Sequence, residues 1–149
     1  VETEGGVNVR AISLHQPYAS GVALGLKRNE TRHWPTKYRG PLAIHAAQRT
    51  TRDVREVFER IVAECDRAAY ERIDTLCECD FDRLPFGAYV CTCVLADCVR
   101  VEDFPRVSER ERLFGNYAPG RFVWVLDRIT PLPSPIPARG RQGFWTWTQ

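Results

Sequence analysis

The sequence predicts a small mixed β-barrel of the α+β class, with helices inserted between its strands and packed on the outside. Three observations predict it. Short apolar runs bounded by turn residues recur from residue 9 onward, as strands of a small barrel do. The run 88–101 is apolar on both faces, which suits a strand inside a closed or nearly closed sheet. Between residues 51 and 65 the apolar period switches from that of a strand to that of a helix with one buried face. Strands and helices interleaved in a chain of 149 residues fit one barrel with helical insertions.

Each element has a local reason. Residues 9–14 read as the first strand. Residues 17–24 form a short helix, with Pro17 near its first turn and Gly25 at its end. Residues 29–34 are extended, 35–40 turn, and 41–47 make another strand. In the helix 51–65, Val54, Val57, Phe58, Ile61, Val62 and Cys65 share one face. Arg55–Glu59 and Glu56–Arg60 are i,i+4 pairs on its outer side. A second helix, 67–76, runs into the acidic stretch 78–83, and both helices are expected to cover the sheet. Ser108 and Glu111 form a capping-box start for a helix to Phe114. Residues 121–130 are a strong strand. The proline-rich stretch after it is extended but poor in ladder donors, and 144–148 is the last strand.

Composition sets the outer limits. The chain is 44% hydrophobic and 27% charged, which is globular, and its length allows one domain with a core of its own. Residues 1–8 read as a loose N-terminal segment or a remnant of cloning, and 9–149 as a single domain. No apolar run approaches a membrane span and no charged-then-apolar leader opens the chain, so no membrane and a cytoplasmic location are expected. The six cysteines include Cys77/Cys79 and Cys91/Cys93, spaced C-x-C where zinc knuckles want a wider gap. They are expected to be reduced and metal-free, with Cys91 and Cys93 facing inward as small hydrophobes. No cofactor motif is recognisable.

Charge is uneven. Residues 1–52 carry a net +5, residues 53–87 a net −5 and residues 88–149 a net +2. His15, His33 and His45 all lie in the first, basic part. Within it Gly25, Lys27, Glu30 and Arg32 spell G-x-K-x-x-E-x-R, followed by Trp34, Tyr38 and Arg39 and then the strand carrying His45. Cations interleaved with flat rings suit an anionic, base-bearing ligand, because charge neutralises phosphate and rings stack on bases. Glu30 and Arg32 are two apart on a strand and therefore share a face, whether as an ion pair, a ligand site or both.

These segments, in this order, resemble the ASCH domain, the activating-signal-cointegrator homology family with a PUA-like barrel. The resemblance rests on ISLHQPYASGVALGLK, the G-x-K-x-x-E-x-R string, WPTKYRGP and IHAA. Further on, LPFGAYVCTCVLADC, GNYAPGRFVWVL and PIPARGRQGFW look like that family's later strands. What it implies is binding of RNA, single-stranded nucleic acid or a nucleotide in a basic cleft. Lys27, Glu30, Arg32, Tyr18, Trp34, Arg39 and His45 would line that cleft.

The rival it implies is a hydrolase of RNA or of a modified nucleoside, a ribonuclease or amidohydrolase, with Lys27 and Glu30 as its catalytic pair. Relatives that deacetylate a modified cytidine look like G-x-K-x-x-T-x-R. Here Glu30 stands where that threonine falls and Thr31 comes one residue late, on the opposite face of a strand. A protein-interaction adaptor, with no need of a basic cleft, is the third reading. Among single residues, Gly25 fits a left-handed helix end, and His45, inside an apolar strand, also fits a satisfied core histidine.

Overall fold

A computed structural model describes residues 8–148. The expected loose segment therefore falls outside the described residues except for Asn8, which instead opens the first strand. Six strands form one mixed sheet: β1 (Asn8–Leu14), β2 (Asn29–Arg32), β3 (Gly40–Ala46), β4 (Ala88–Arg100), β5 (Phe122–Pro137) and β6 (Trp145–Thr148). Four helices join them: α1 (Tyr18–Ala23), α2 (Arg52–Glu64), α3 (Arg67–Cys77) and α4 (Glu109–Leu113).

The strand order is β2-β5-β4-β3-β1-β6. β1 and β3 run parallel and every other pair is antiparallel. No ladder among the described residues joins the two outer strands, β2 and β6, where the sequence predicted a closed or nearly closed barrel. The sheet curls instead until its edges meet through side chains. Trp34, just past β2, and Phe144, just before β6, have ring centroids 6.1 Å apart. Trp124 of β5 lies behind both, 4.8 Å from Trp34 and 5.6 Å from Phe144. The seam is thus closed by rings, and among the described residues no backbone hydrogen bond crosses it.

Alternation sorts side chains to the two faces of this sheet. Ile12, Leu14, Leu42, Ile44, Cys93, Leu95, Trp124 and Leu126 fill the concave core. Val9, Ala11, Ala43 and Tyr89 lie on the other face under Trp145 and Trp147. Tyr89 and Trp147 stack there at 3.9 Å. β5 runs on through the proline-rich stretch, beyond the end expected from sequence, and still pairs with β4 as far as Ala88↔Pro137. Proline is tolerated there because, among the described residues, no strand pairs with the far edge of β5 beyond Leu126.

The helices carry a second core. Thr51 caps α2 through Val54 N, and Asp66 caps α3 through Ala69 N. Val54, Phe58 and Ile61 are buried as expected, but not on the sheet. They pack with Ile73 and Cys77 of α3 and with Leu26 and Phe114, which bridge this cluster to the rest. They turn away from the sheet because α3 and the 3-10 turn at Phe81–Arg83 offer an apolar surface of their own. Across this cluster Arg110 of α4 grips Asp66 with two hydrogen bonds, 3.0 and 2.7 Å.

All six cysteines are free thiols. Cys91 and Cys93 are buried in the sheet, and burial pushes both thiols up, Cys93 to about 12. Among the described residues no His, Cys, Asp and Glu side chains group as a metal site. No helix among them is long and apolar enough to cross a membrane.

Two outcomes test this architecture. Phe58→Ala should destabilise by about 3–5 kcal/mol in urea unfolding, since a fully packed ring leaves a cavity. The Arg110 hydrogen bonds hold the Asp66 carboxyl at about 2, below its usual 3.8. A lowered carboxyl stabilises the fold above its unfolded value and loses that contribution as pH falls towards 2. Asp66→Asn should therefore lower the melting temperature at neutral pH, with the gap from wild type closing as pH drops below the usual carboxylate range.

Candidate functional site

One cavity of about 770 Å³ opens at the C-terminal end of β1. Its floor is Ile12–Leu14, and Tyr18 of α1 stands over it. One wall is β2 with the residues after it, from Glu30 to Trp34. The facing wall is the loop from Phe114 to Asn116, and Arg121, Arg141 and Gln142 form the rim. Five of the residues predicted from sequence, Tyr18, Lys27, Glu30, Arg32 and Trp34, are brought together here.

Lys27 is placed by the end of α1. Gly25 adopts φ +74° and turns the chain, and the N–H groups of Leu26 and Lys27 both return to Gly21 O. This drives the Lys27 side chain inward until it is 1% exposed. Its ammonium donates to Asn29 O at 2.6 Å and to Phe114 O at 2.7 Å. It also stands 3.3 Å from Glu30 Oε1 and 5.5 Å from the Tyr18 ring centroid. Three N–H donors facing three oxygen partners make a buried lysine tolerable. They also leave it no donor free for a ligand.

Glu30 and Arg32 share the cavity face of β2, as alternation predicted. Glu30 Oε2 lies 3.0 Å from Arg32 Nε. The two are an ion pair without hydrogen-bond alignment, since that buried Nε has no hydrogen-bond partner. Arg32 Nη2 donates to Ser13 O at 3.0 Å, and the guanidinium lies 5.8 Å from the Trp34 ring and 5.7 Å from Trp124. Glu30 is thus flanked by two cations while remaining 14% exposed. Burial, and then the charge of Glu30, push the Tyr18 hydroxyl pKa up, so the phenol stays protonated.

Thr31 alternates to the other face of β2, although it too borders the cavity. Its hydroxyl accepts Asn116 N at 3.1 Å and its carbonyl accepts Arg121 Nη2 at 2.9 Å. It ties the Asn116 loop to β2 and presents no free hydroxyl in the Glu30 position. Glu111 ties the same wall from outside, its carboxylate accepting Arg28 N at 2.6 Å and Asn29 N at 3.3 Å. It therefore does not reach back to complete a capping box, although Ser108 does cap α4. Burial pushes Glu111 up, against the lowering effect of those N–H donors and of Lys27. Asn29 Nδ2 donates to Tyr117, whose hydroxyl burial raises to about 12.

Arg39 and His45 do not join the cavity. Arg39 braces its own turn, donating to Thr36 O and Tyr38 O, and meets Asp97 at 3.5 Å. His45 shares the face of Ala43, opposite Ile44, and is 1% exposed. Its Nε2 donates to Ala138 O at 2.8 Å, so in the neutral ring Nδ1 accepts the Ser13 hydroxyl at 2.7 Å. It is a satisfied core histidine. Gly140 approaches it so closely that a Cβ would come within 2.7 Å of Cε1.

Sequence reasoning missed Arg121, Arg141, Asn116 and Gln142, which line the cavity from distant loops. The signal for them was weak: arginines beside glycine and asparagine in GNYAPGR and ARGRQG, where loops carry function. Among the described residues Glu30 is the one carboxylate lining the cavity. Four Lys or Arg side chains and His15 and His33 stand against it.

A curled six-stranded sheet with a cationic, ring-lined cleft at one end is the class of protein these features define. The sequence profile described as the ASCH domain matches residues 12–133, and the chain belongs to that family. Among solved structures, the ASCH protein ZmASCH from Zymomonas mobilis, crystallised as a tyrosine-to-phenylalanine mutant, is similar with a TM-score of 0.50. The two are 16% identical, over 94% of this chain and 89% of that one, a likeness of fold alone. No curated protein matches the sequence.

Lys27→Met should cost about 3 kcal/mol or more in urea unfolding, because it strands two buried carbonyls and the Glu30 carboxylate. A solvated surface lysine would give a change near zero.

Proposed function

We propose that this domain binds RNA, or a nucleotide of it, in the cleft between β2 and the Asn116 loop. The observation that carries the reading is the lining of the 770 Å³ cavity: cations and imidazoles around one carboxylate, with the rings of Tyr18 and Trp34. Cations neutralise phosphate and rings stack on bases. The volume lies in the range of small-molecule and nucleotide pockets.

Roles follow from what each side chain has left to give. Lys27 holds the walls together and lends its charge to the floor without reaching a ligand. Arg32, Arg121 and Arg141 are the phosphate readers, and Glu30, steadied by Lys27 and Arg32, accepts a base N–H. Arg39 and His45, outside the cleft, have no part in it. The hydrolase reading needs Lys27 to reach a substrate, and its ammonium is already turned to Asn29 O, Phe114 O and Glu30. The deacetylase form of it also lacks a free hydroxyl at Glu30.

Single-stranded RNA binding should fall steeply with salt, with a log–log slope of about 0.7 for each phosphate neutralised. Arg141→Ala should weaken binding and lower that slope by about one such contact. Arg32→Lys should weaken it despite the retained charge, because an ammonium cannot reproduce the planar fork. Fluorescence anisotropy across a salt series checks all three, and an affinity independent of salt would refute the proposal. Wild-type protein should leave acetylcytidine intact by mass spectrometry; Lys27-dependent release of acetate would put the hydrolase first.

A further inference from the structure

The seam between β2 and β6 leads out of the cleft at its aromatic end. Trp34 lines the cleft and meets Phe144, and Phe144 in turn meets Tyr38 at 5.7 Å. Arg10 lies over the outer two rings, its guanidinium carbon 5.0 Å from the Tyr38 centroid and 5.6 Å from that of Phe144. Arg32 stands over Trp34 at the cleft end. The row therefore carries a guanidinium at each end. Arg10 and Ile12 are alternate residues of β1 and share a face. Ile12 lines the cleft, and two residues of strand span ~7 Å.

The exposure pattern points the same way. Arg10 and Lys37 are exposed, and Trp34, Tyr38 and Phe144 are half-buried. These rings pack against the main core on one side and keep part of their surface in solvent along the seam. Arg10 stands over the two rings, and among the described residues the N–H groups along the edge of its guanidinium plane make no hydrogen bond. Such edges meet phosphate, and such planes stack on bases.

Resting on the reading of the cleft as a nucleotide site, we infer that its ligand is a single strand of RNA longer than one nucleotide. The strand leaves the cleft along the seam, and Arg10 contacts the nucleotides next to the one inside. A duplex is excluded as occupant, because stacking on these rings requires unpaired bases. Lys37, in the turn between Trp34 and Tyr38, adds a cation beside the path.

The experiment compares two probes, the four ribonucleoside monophosphates and a ten-nucleotide single-stranded RNA of mixed sequence, on wild type, Arg10→Glu and Arg10→Gln. Circular dichroism melts establish that the variants fold. The RNA should bind wild type more tightly than any monophosphate. Arg10→Glu should weaken RNA binding about tenfold or more and Arg10→Gln about threefold, with monophosphate affinity unchanged in both. Monophosphate binding together with RNA affinity indifferent to both Arg10 variants overturns the seam while leaving the cleft standing. Failure of wild type to bind either probe overturns the cleft, and the seam with it.

Discussion

The buried ammonium of Lys27 is the contact on which the cleft depends. A charge taken out of water costs several kcal/mol unless oxygen partners replace its hydration. Here the partners come from three places: the start of β2, the end of α4 and a side chain of the cavity wall. The lysine can be satisfied only when those places converge, so the cavity's shape is written into the solvation of one side chain. Phe114 links that requirement to the helical core, since its carbonyl holds the lysine while its ring fills the cluster under α2 and α3. Gly21 permits the approach; a Cβ there would stand 2.8 Å from the Phe114 ring.

The same arrangement sets the electrostatics. Glu30 sits between two cations, Lys27 and Arg32, which hold its carboxylate in place. Preorganisation of this kind lowers the entropy lost on binding. The positive charge of the cleft comes from two classes of side chain. Lys27 is internal and rigid, whereas Arg141 is exposed on a loop. Both contribute to the positive potential of the cleft, one from its interior and one from its rim.

How much of this was legible in the sequence depends on the range of the contact. Alternation told that Glu30 and Arg32 share a face and that Thr31 does not, because a strand's period is local. The same rule separates His45 from Ile44, and parity on β3 places it away from the cavity lining. The 3.6-residue period gave the buried face of α2 but not what lies beneath it, since Leu26 and Phe114 come from distant segments. Arg121 and Arg141 were invisible for the same reason, as nothing near either residue says that its loop folds over β2. Barrel closure failed as an expectation because the count of strands does not specify whether the last edges share hydrogen bonds or merely touch.

The register of the last strand has a consequence for assembly. β6 pairs only with β1, joining Asn8 to Thr148 and Ala11 to Trp145, residues near opposite ends of the described chain. Bringing such ends together is among the costlier loop closures, and contacts of this range form late. The four inner strands have a core of their own before that event. Phe144 and the Arg141 rim, however, belong to the segment leading into β6. With the inner strands packed and β6 still undocked, the rim would be unfinished, so the cleft is completed by the last docking step rather than by collapse.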